Sequence, residues 1–262
     1  MIDTAAWPDL NLVEPITEGN RNEVWRGDIA GRAVAVRQSR RSPASLAWEL
    51  ALIDHLDQMG FWVPSVIPSG DGAQSVSGVV VQRWIGGREP TSDEDWAAVA
   101  AELKRLHLAT RSYPQRPDCC PVAELAQARR SVDADLDAMP AELVRVVTGI
   151  YAEFARVATS VIHGDPNASN LRITTDGNVG LLDWDESRVD VACHDLSNLG
   201  IVVLAESDQR RAERLSHAWE ATNPWLVEPE YARDRLALLQ TCLLYTSPSP
   251  RDATLSRMPS SA

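Results

Sequence analysis

One change of hydrophobic period limits what this chain can build. Over about the first 90 of 262 residues the apolar positions fall in short β-rich runs around a single helical stripe. From Thr91 onward they fall at helical spacing. Val24 to Arg26 and Ala33 to Arg37 are β-rich and separated by Gly27, Asp28 and Gly31, a hairpin signal. Ser45 to Gln58 carries Leu46, Leu50, Ile53 and Leu56 as a stripe, and Val79 to Trp84 is a continuous apolar run bounded by glycines. Ser92 with Asp95 opens a helix bearing Trp96, Val99, Leu103 and Leu106. Pro140 fits the first turn of another, striped by Leu143, Val146, Val147, Ile150, Phe154 and Val157. Between Val161 and Trp184 the period changes again, and Leu171 to Ile173 and Val179 to Leu182 flank Asp176-Gly177-Asn178 as a short hairpin. Helices resume after Asp195. This order predicts an α+β chain in two lobes, 1–87 rich in strands and 88–245 mostly helical, with no internal repeat.

Residues 246–262 stand apart. They hold three prolines and five serines in 17 positions and cut off an apolar helical pattern that starts at Tyr231. The segment reads as translated sequencing adapter, so the expectation is an artefactual or disordered tail on a C-terminally truncated chain.

Charge excludes some partners. Lysine plus arginine number 25 against 37 acids, a formal −12, which opposes nucleic acid or an anionic membrane as main partner. No run approaches the ~18 apolar residues of a membrane span, and the acidic start lacks a signal-peptide pattern. The four cysteines show no C-x-x-C spacing. A cytoplasmic location is expected.

The chemistry is concentrated between His163 and Asp195, where His163, Asp165, Asn170, Asp183, Asp185, Glu186, Asp190, His194 and Asp195 surround the hairpin. Hairpin strands lie ~5 Å apart, so Asp165 and Asn170 before the first strand and Asp183 after the second can converge. Carboxylate and carboxamide oxygens meeting at one point suit a hard cation such as magnesium.

His163-Gly-Asp-x-x-x-x-Asn170, followed after a spacer of positions 171–182 by Asp183-Trp-Asp185, resembles the aminoglycoside phosphotransferase and choline kinase group of small-molecule kinases. The resemblance extends over about residues 15–245. It implies a protein-kinase-like fold, ATP, Mg2+ and a small-molecule hydroxyl acceptor such as an aminoglycoside, an amino alcohol or a sugar. Asp165 matches the catalytic aspartate that accepts the hydroxyl proton, and Asn170 and Asp183 match the metal ligands. His163 matches a loop histidine with a structural task. Asp185 belongs to the D-x-D pattern and is expected at metal, substrate or solvent, while Asp195 is read as an N-cap of the next helix. Arg37 stands where kinases carry a phosphate-binding lysine, and Glu49, on the apolar face of its helix, is its expected partner. Gly19 and Asn20, in the loop Thr17 to Asn22, take the place of the phosphate-covering turn. The backbone of Gln82, Trp84 and Ile85 takes the place of the adenine-binding hinge. The helices after the D-x-D hairpin and the final helix are implied to line the acceptor pocket.

Two other readings compete. His163 and His194-Asp195 suggest a metal-dependent phosphohydrolase of the HD type, which prefers imidazole ligands and leaves Arg37 and Glu49 unexplained. A non-catalytic nucleotide-binding relative is the other.

Overall fold

The computed structural model describes residues 2–16, 23–197 and 199–246, with side chains up to 239. The expected phosphate-covering residues Gly19 and Asn20, and the tail from 247 onward, lie outside the described residues.

Four antiparallel strands form the N-terminal sheet in sequence order: β1 (Leu10–Ile16), β2 (Glu23–Ile29), β3 (Arg32–Gln38) and β4 (Val79–Arg83). The β2–β3 hairpin closes through Ala30 and Gly31, both at positive φ (52° and 79°), with Asp28 Oδ1 accepting the Gly31 amide at 2.8 Å. Gly27 is therefore not a turn residue. It lies inside β2, where a Cβ would stand 2.9 Å from Leu10 Cδ1 and 3.1 Å from the Asn11 carbonyl, so its bare backbone admits the bulged β1. β1 itself gives no strand signal in the sequence: Asn11, Glu14 and Pro15 interrupt it, as an edge strand tolerates.

Helix α1 (Pro43–Gln58), capped by Ser42, runs between β3 and β4. Its sequence stripe is one of two buried faces. Leu46 and Leu50 pack on Val80 of the sheet, while Trp48, Leu52, Ile53 and Leu56 join a core with α2 (Asp93–Ala109) and the later hairpin. One helix thus belongs to both lobes. The expected capping box on α2 is present, with Ser92 and Asp95 exchanging hydrogen bonds.

Beyond α2 come α3 (Val122–Ala128), the two-residue strands β5 (Arg130–Ser131) and β6 (Ala134–Asp135), and α4 (Ala141–Ala152). Pro140 caps α4 from outside its first turn, and the helix buries Val144, Val147, Ile150 and Tyr151. Of the expected stripe, Val147, Ile150 and Phe154 are buried and Leu143 and Val146 pack partly buried against the same core, to which α6 (Glu206–Thr222) and α7 (Pro229–Thr246) also contribute, with Tyr151 bonding Thr222 of α6. β7 (Thr159–Ile162) pairs with β10 (Arg188–Val191), and the predicted hairpin is present as β8 (Leu171–Ile173) and β9 (Val179–Leu181). β10 escapes sequence reading because it buries a charged pair, Arg188 Nε to Asp190 Oδ2 at 2.9 Å. Short helix α5 (Cys193–Leu196) follows. Among the described residues no helix is long and apolar enough to cross a membrane.

Candidate active site

Two cavities open along the seam between the sheet and the helical part, and they meet at Asn170 and Asp183. The first, about 490 Å³, has Ile16, Val24 and Ala35 above, Leu182 and Trp184 below, and Gln82, Trp84 and Ile85 at one edge. Arg37 lines it as well. The second, about 880 Å³, lies between the loop of Asp165 and the helices α6 and α7.

The loop carrying Asp165 is held by its backbone. Asp195 is fully buried and accepts the His163 amide on Oδ2 at 2.8 Å and the Gly164 amide on Oδ1 at 2.9 Å. His107 Nε2 bonds the same Oδ2 at 2.8 Å. The N-cap reading of Asp195 is thus corrected: it lies within α5, whose N-cap is Ala192, and ties the loop of Asp165 to α2. Gly164 has φ 92°, and a Cβ there would stand 2.5 Å from the Glu186 carbonyl, so the loop packs directly on the D-x-D segment. His163, buried, gives its Nε2 proton to the Leu182 carbonyl at 2.7 Å and leaves Nδ1 toward the Asp165 amide at 3.4 Å. Its contacts are structural, and its ring lies 5.0 Å from that of Trp184.

Burial works to raise the Asp195 pKa, but the His107 bond and charge and the loop amides outweigh it and hold it at about 2, below the ordinary 3.8. A depressed carboxylate stabilises the fold above its ordinary pKa, and that contribution fades as pH falls from about 4 toward 2. The melting-temperature gap between wild type and Asp195→Asn should therefore be widest near neutrality and shrink over that acid window. A gap that stays constant would show that the charge on Asp195 does not hold the loop.

Asp165, half-buried, accepts from Asn167 Nδ2 at 2.9 Å on both oxygens and from Asn170 Nδ2 at 3.0 Å. Asn170 thus spends its amide hydrogens on Asp165, including the backbone carbonyl at 3.0 Å, and keeps Oδ1 as an acceptor for something else.

The two aspartates of D-x-D have opposite surroundings. Asp183, at φ 51°, opens into both cavities, and no side chain among the described residues pairs with it. Desolvation by the cavity walls pushes its pKa up; Arg37 opposes this, while Asp185 and Glu49 add repulsion. Asp185 is buried, and burial is outweighed there by Arg41, Arg37 and Arg116, so its pKa is lowered. Its Oδ2 accepts Arg41 Nε at 3.2 Å and Nη2 at 2.9 Å, and Oδ1 lies 3.7 Å from Arg37 Nη1. Asp185 is therefore held by Arg41 on Oδ2, while the residue also lines the second cavity.

Arg37 and Glu49 are buried and bonded to each other. Burial opposes the Arg37 charge, but Glu49, Asp183 and Asp185 outweigh it. Glu49 has a second partner that the sequence did not indicate, Arg116, whose Nη2 lies 2.8 Å from Oε2. Arg116 is 1% exposed; its Nε bonds Ser45 Oγ at 2.7 Å and its Nη1 reaches the carbonyls of Trp184 (3.2 Å), Asp185 (2.8 Å) and Ser187 (3.0 Å). Arg41, also unsignalled, bonds the Asp185 carbonyl at 2.8 Å and Asp133 at 2.6 Å. Arg37, Glu49, Arg116, Asp185 and Arg41 form one network joining α1 to the turn that carries Asp183. Neither Arg116 nor Arg41 falls in a motif, and their role is visible only as contacts distant in sequence.

Gln82 is buried with Nε2 donating to the Pro64 carbonyl at 3.1 Å, and Trp84 is half-exposed at the cleft edge under Arg26. Among the described residues no three histidine, cysteine, aspartate or glutamate side chains converge on a metal position, so the HD-type reading has no site.

The sequence matches the model of the phosphotransferase enzyme family over residues 12–238. No curated protein sequence matches it. Among solved structures it is similar to choline kinase LicA from Streptococcus pneumoniae at 14% identity, covering 89% of this chain and 95% of that one, with a TM-score of 0.62. It is similar to an aminoglycoside phosphotransferase from Alicyclobacillus acidocaldarius at 20% identity, 94% and 97% coverage and a TM-score of 0.55. It is also similar to aminoglycoside phosphotransferase APH(4)-Ia at 13% identity, 93% and 96% coverage and a TM-score of 0.64. At these identities the likenesses establish a protein-kinase-like fold, and the family match, spanning most of the sequence, carries the conclusion. The chain belongs to the phosphotransferase enzyme family.

Proposed function

We propose that this protein transfers the γ-phosphoryl group of Mg·ATP to a hydroxyl of a small molecule. The observation that carries this reading is the meeting of two cavities at Asn170 and Asp183, with Asp165 on the wall of the second alone. A nucleotide in the first cavity has its adenine at the Gln82–Ile85 edge and its phosphates toward Arg37. An acceptor in the second has its hydroxyl at Asp165.

The donor set fits magnesium. Asp183 is a carboxylate with no side-chain partner among the described residues, close to Asn170, and the desolvation and the repulsion from Asp185 and Glu49 that raise its pKa are of the kind a cation relieves. Two protein oxygens suit an ion that keeps waters and phosphate oxygens as its other ligands. When bound, Mg2+ screens the phosphate charge that builds up during transfer. The chain's own residues do the remaining work. Arg37 offers a fork of N–H donors to phosphate oxygens, a geometry that lysine lacks. Asp165 orients the acceptor hydroxyl and takes its proton as the oxygen bonds to phosphorus and the bridge to the β-phosphate breaks. Asn167 and Asn170 keep the Asp165 carboxylate in place for that transfer.

Asp183→Asn tests the metal side. Its affinity for Mg·ATP, measured by calorimetry, should fall at least tenfold, while affinity for metal-free ATP holds or rises as one repelling charge is removed. Equal losses with and without magnesium would contradict a role through the cation.

A further inference from the structure

At the base end of the first cavity one polar side-chain atom stands open among apolar walls. Gln82 lies on β4 opposite Ala35 of β3, so its side chain shares the cavity face of the sheet with Ala35 and Arg37. Its strand is fixed on the other side too: the Val81 carbonyl accepts the Ile67 amide and the Arg83 amide donates to the Ser65 carbonyl, both at 2.8 Å. Gln82 Nε2 donates to the Pro64 carbonyl at 3.1 Å, which settles the orientation of the amide, because a carbonyl can only accept. Its Oε1 accepts no hydrogen bond among the described residues, and it is not one of the unpartnered polar atoms shut off from solvent. Since Gln82 is otherwise buried and lines this cavity, Oε1 opens into it.

We propose that the Gln82 side chain selects the base of the nucleotide: its Oε1 accepts a hydrogen from the 6-amine of adenine, so the chain uses adenine and not guanine nucleotides. The proposal rests on the phosphotransferase reading and deepens it.

The chemistry of that atom admits one kind of neighbour. Oε1 accepts and has no hydrogen to give, and the amide nitrogen beside it is already spent on Pro64. Adenine carries an amine at position 6, with two hydrogens to donate. Guanine carries an oxygen there, which would meet Oε1 lone pair to lone pair. Turning the amide over would offer guanine a donor, but it would set Oε1 against the Pro64 carbonyl and exchange one repulsion for another. In a cleft of low dielectric either contact is costly.

The neighbouring side chains do not make the choice. Ile16, Val24 and Ala35 above and Leu182 and Trp184 below give apolar contact that any purine satisfies. The Trp184 indole donates to the Leu181 carbonyl at 3.1 Å. Arg83 spends its guanidinium on Asp57 at 3.2 Å and on Ser65. Arg26 bonds Glu14 at 3.4 Å and lies over the Trp84 ring, 5.5 Å from its centroid. Arg172 Nη1 is taken by the carbonyls of Ser169 at 2.8 Å and Leu171 at 2.7 Å. The backbone of residues 82–85 offers the same groups whatever its side chains are, so position 82 is where residue type enters the choice of base.

The full chain is titrated by calorimetry with the magnesium complexes of ADP, GDP and purine riboside diphosphate, which keeps the ring nitrogens of adenine and lacks only the 6-amine. Wild type should bind ADP ~10-fold or more tighter than GDP and ~5-fold or more tighter than the amine-free analogue, since a site built for an N–H rejects ligands without it. Gln82→Leu keeps the volume and removes Oε1. It should weaken ADP while leaving the amine-free analogue within ~2-fold of wild type, so that the preference between the two shrinks ~3-fold or more, the coupling expected of groups in contact. Gln82→Met takes its place should the leucine variant fail to fold. An unchanged preference in the variant, equal losses for all three nucleotides included, would make Gln82 only a strut for Pro64 and overturn the proposal. GDP bound as tightly as ADP by wild type would overturn it as well. Should neither variant fold, the three wild-type affinities decide alone. A wild type that binds none of the three would overturn the phosphotransferase reading itself, which separates that failure from this one.

Discussion

Asp165→Asn should lower turnover by ~10²-fold or more while leaving Mg·nucleotide affinity and melting temperature close to wild type. The expected size is the usual worth of a positioned acid–base group. The selectivity comes from the contacts. Asp165 is half-buried on the second cavity, and its only side-chain partners among the described residues are Asn167 and Asn170 on its own loop. The loop's attachment to the fold runs through Asp195, Gly164 and His163, none of which needs the Asp165 charge. An asparagine is nearly isosteric and can keep a hydrogen bond to the neighbouring amides, so little stability is at stake. Steady-state kinetics at saturating acceptor, together with nucleotide titration, check both halves. Near-normal turnover would remove Asp165 from the chemistry, and a collapse of nucleotide affinity would make it a structural residue.

The largest stability effect is expected at Arg116. Arg116→Met removes the partner of a carboxylate, Glu49, that has no solvent exposure, together with donors to three main-chain carbonyls. Breaking a buried pair from one side costs ~3–5 kcal/mol, because the remaining charge has nowhere to go. Arg37 still contacts Glu49, which places the expectation at the lower end of that range. Denaturant unfolding measures it directly. The double variant Glu49→Gln, Arg116→Met should be less unstable than the sum of the two single changes, since groups in contact are not additive. Additivity within ~0.5 kcal/mol would mean that the two act independently. A functional effect should accompany the loss. Arg116 also holds the turn after Asp183, so magnesium-dependent nucleotide affinity should weaken in Arg116→Lys even where the fold survives, because a single ammonium cannot reproduce five directed donors.

Asp185 shows where a motif stops being informative. Its place in D-x-D says only that it lies two residues from Asp183. An alternation of that kind puts neighbouring carboxylates in different surroundings, and here Arg41 arrives from the end of β3 to claim one of them. With Asp185 committed to arginine, Asp183 alone faces the cavity junction with a raised pKa. The same sort of distant claim overturns the helix-cap reading of Asp195, whose acceptors are used by amides more than 30 residues earlier and by a histidine 88 residues away.

Local order was legible from the chain alone wherever a short-range physical rule applies. The β2–β3 and β8–β9 hairpins, the Ser92 capping box and the α1 stripe depend on residues within a few positions of one another. So does the spacing that gathers Asp165, Asn170 and Asp183, because a hairpin brings its own ends together. The burial of Glu49 beside Arg37 could also be anticipated, since a carboxylate on an apolar helix face needs a cation. What only the tertiary structure decided were the partners supplied from far along the chain. Arg116 and Arg41 clamp the D-x-D turn to α1, Asp195 anchors the loop of Asp165, and β10 hides an ion pair inside a strand. The second face of α1 belongs to the same class. A charge or a donor is read correctly from sequence when its partner is local. When the partner is distant, burial energetics demand that one exist but do not say which residue it is.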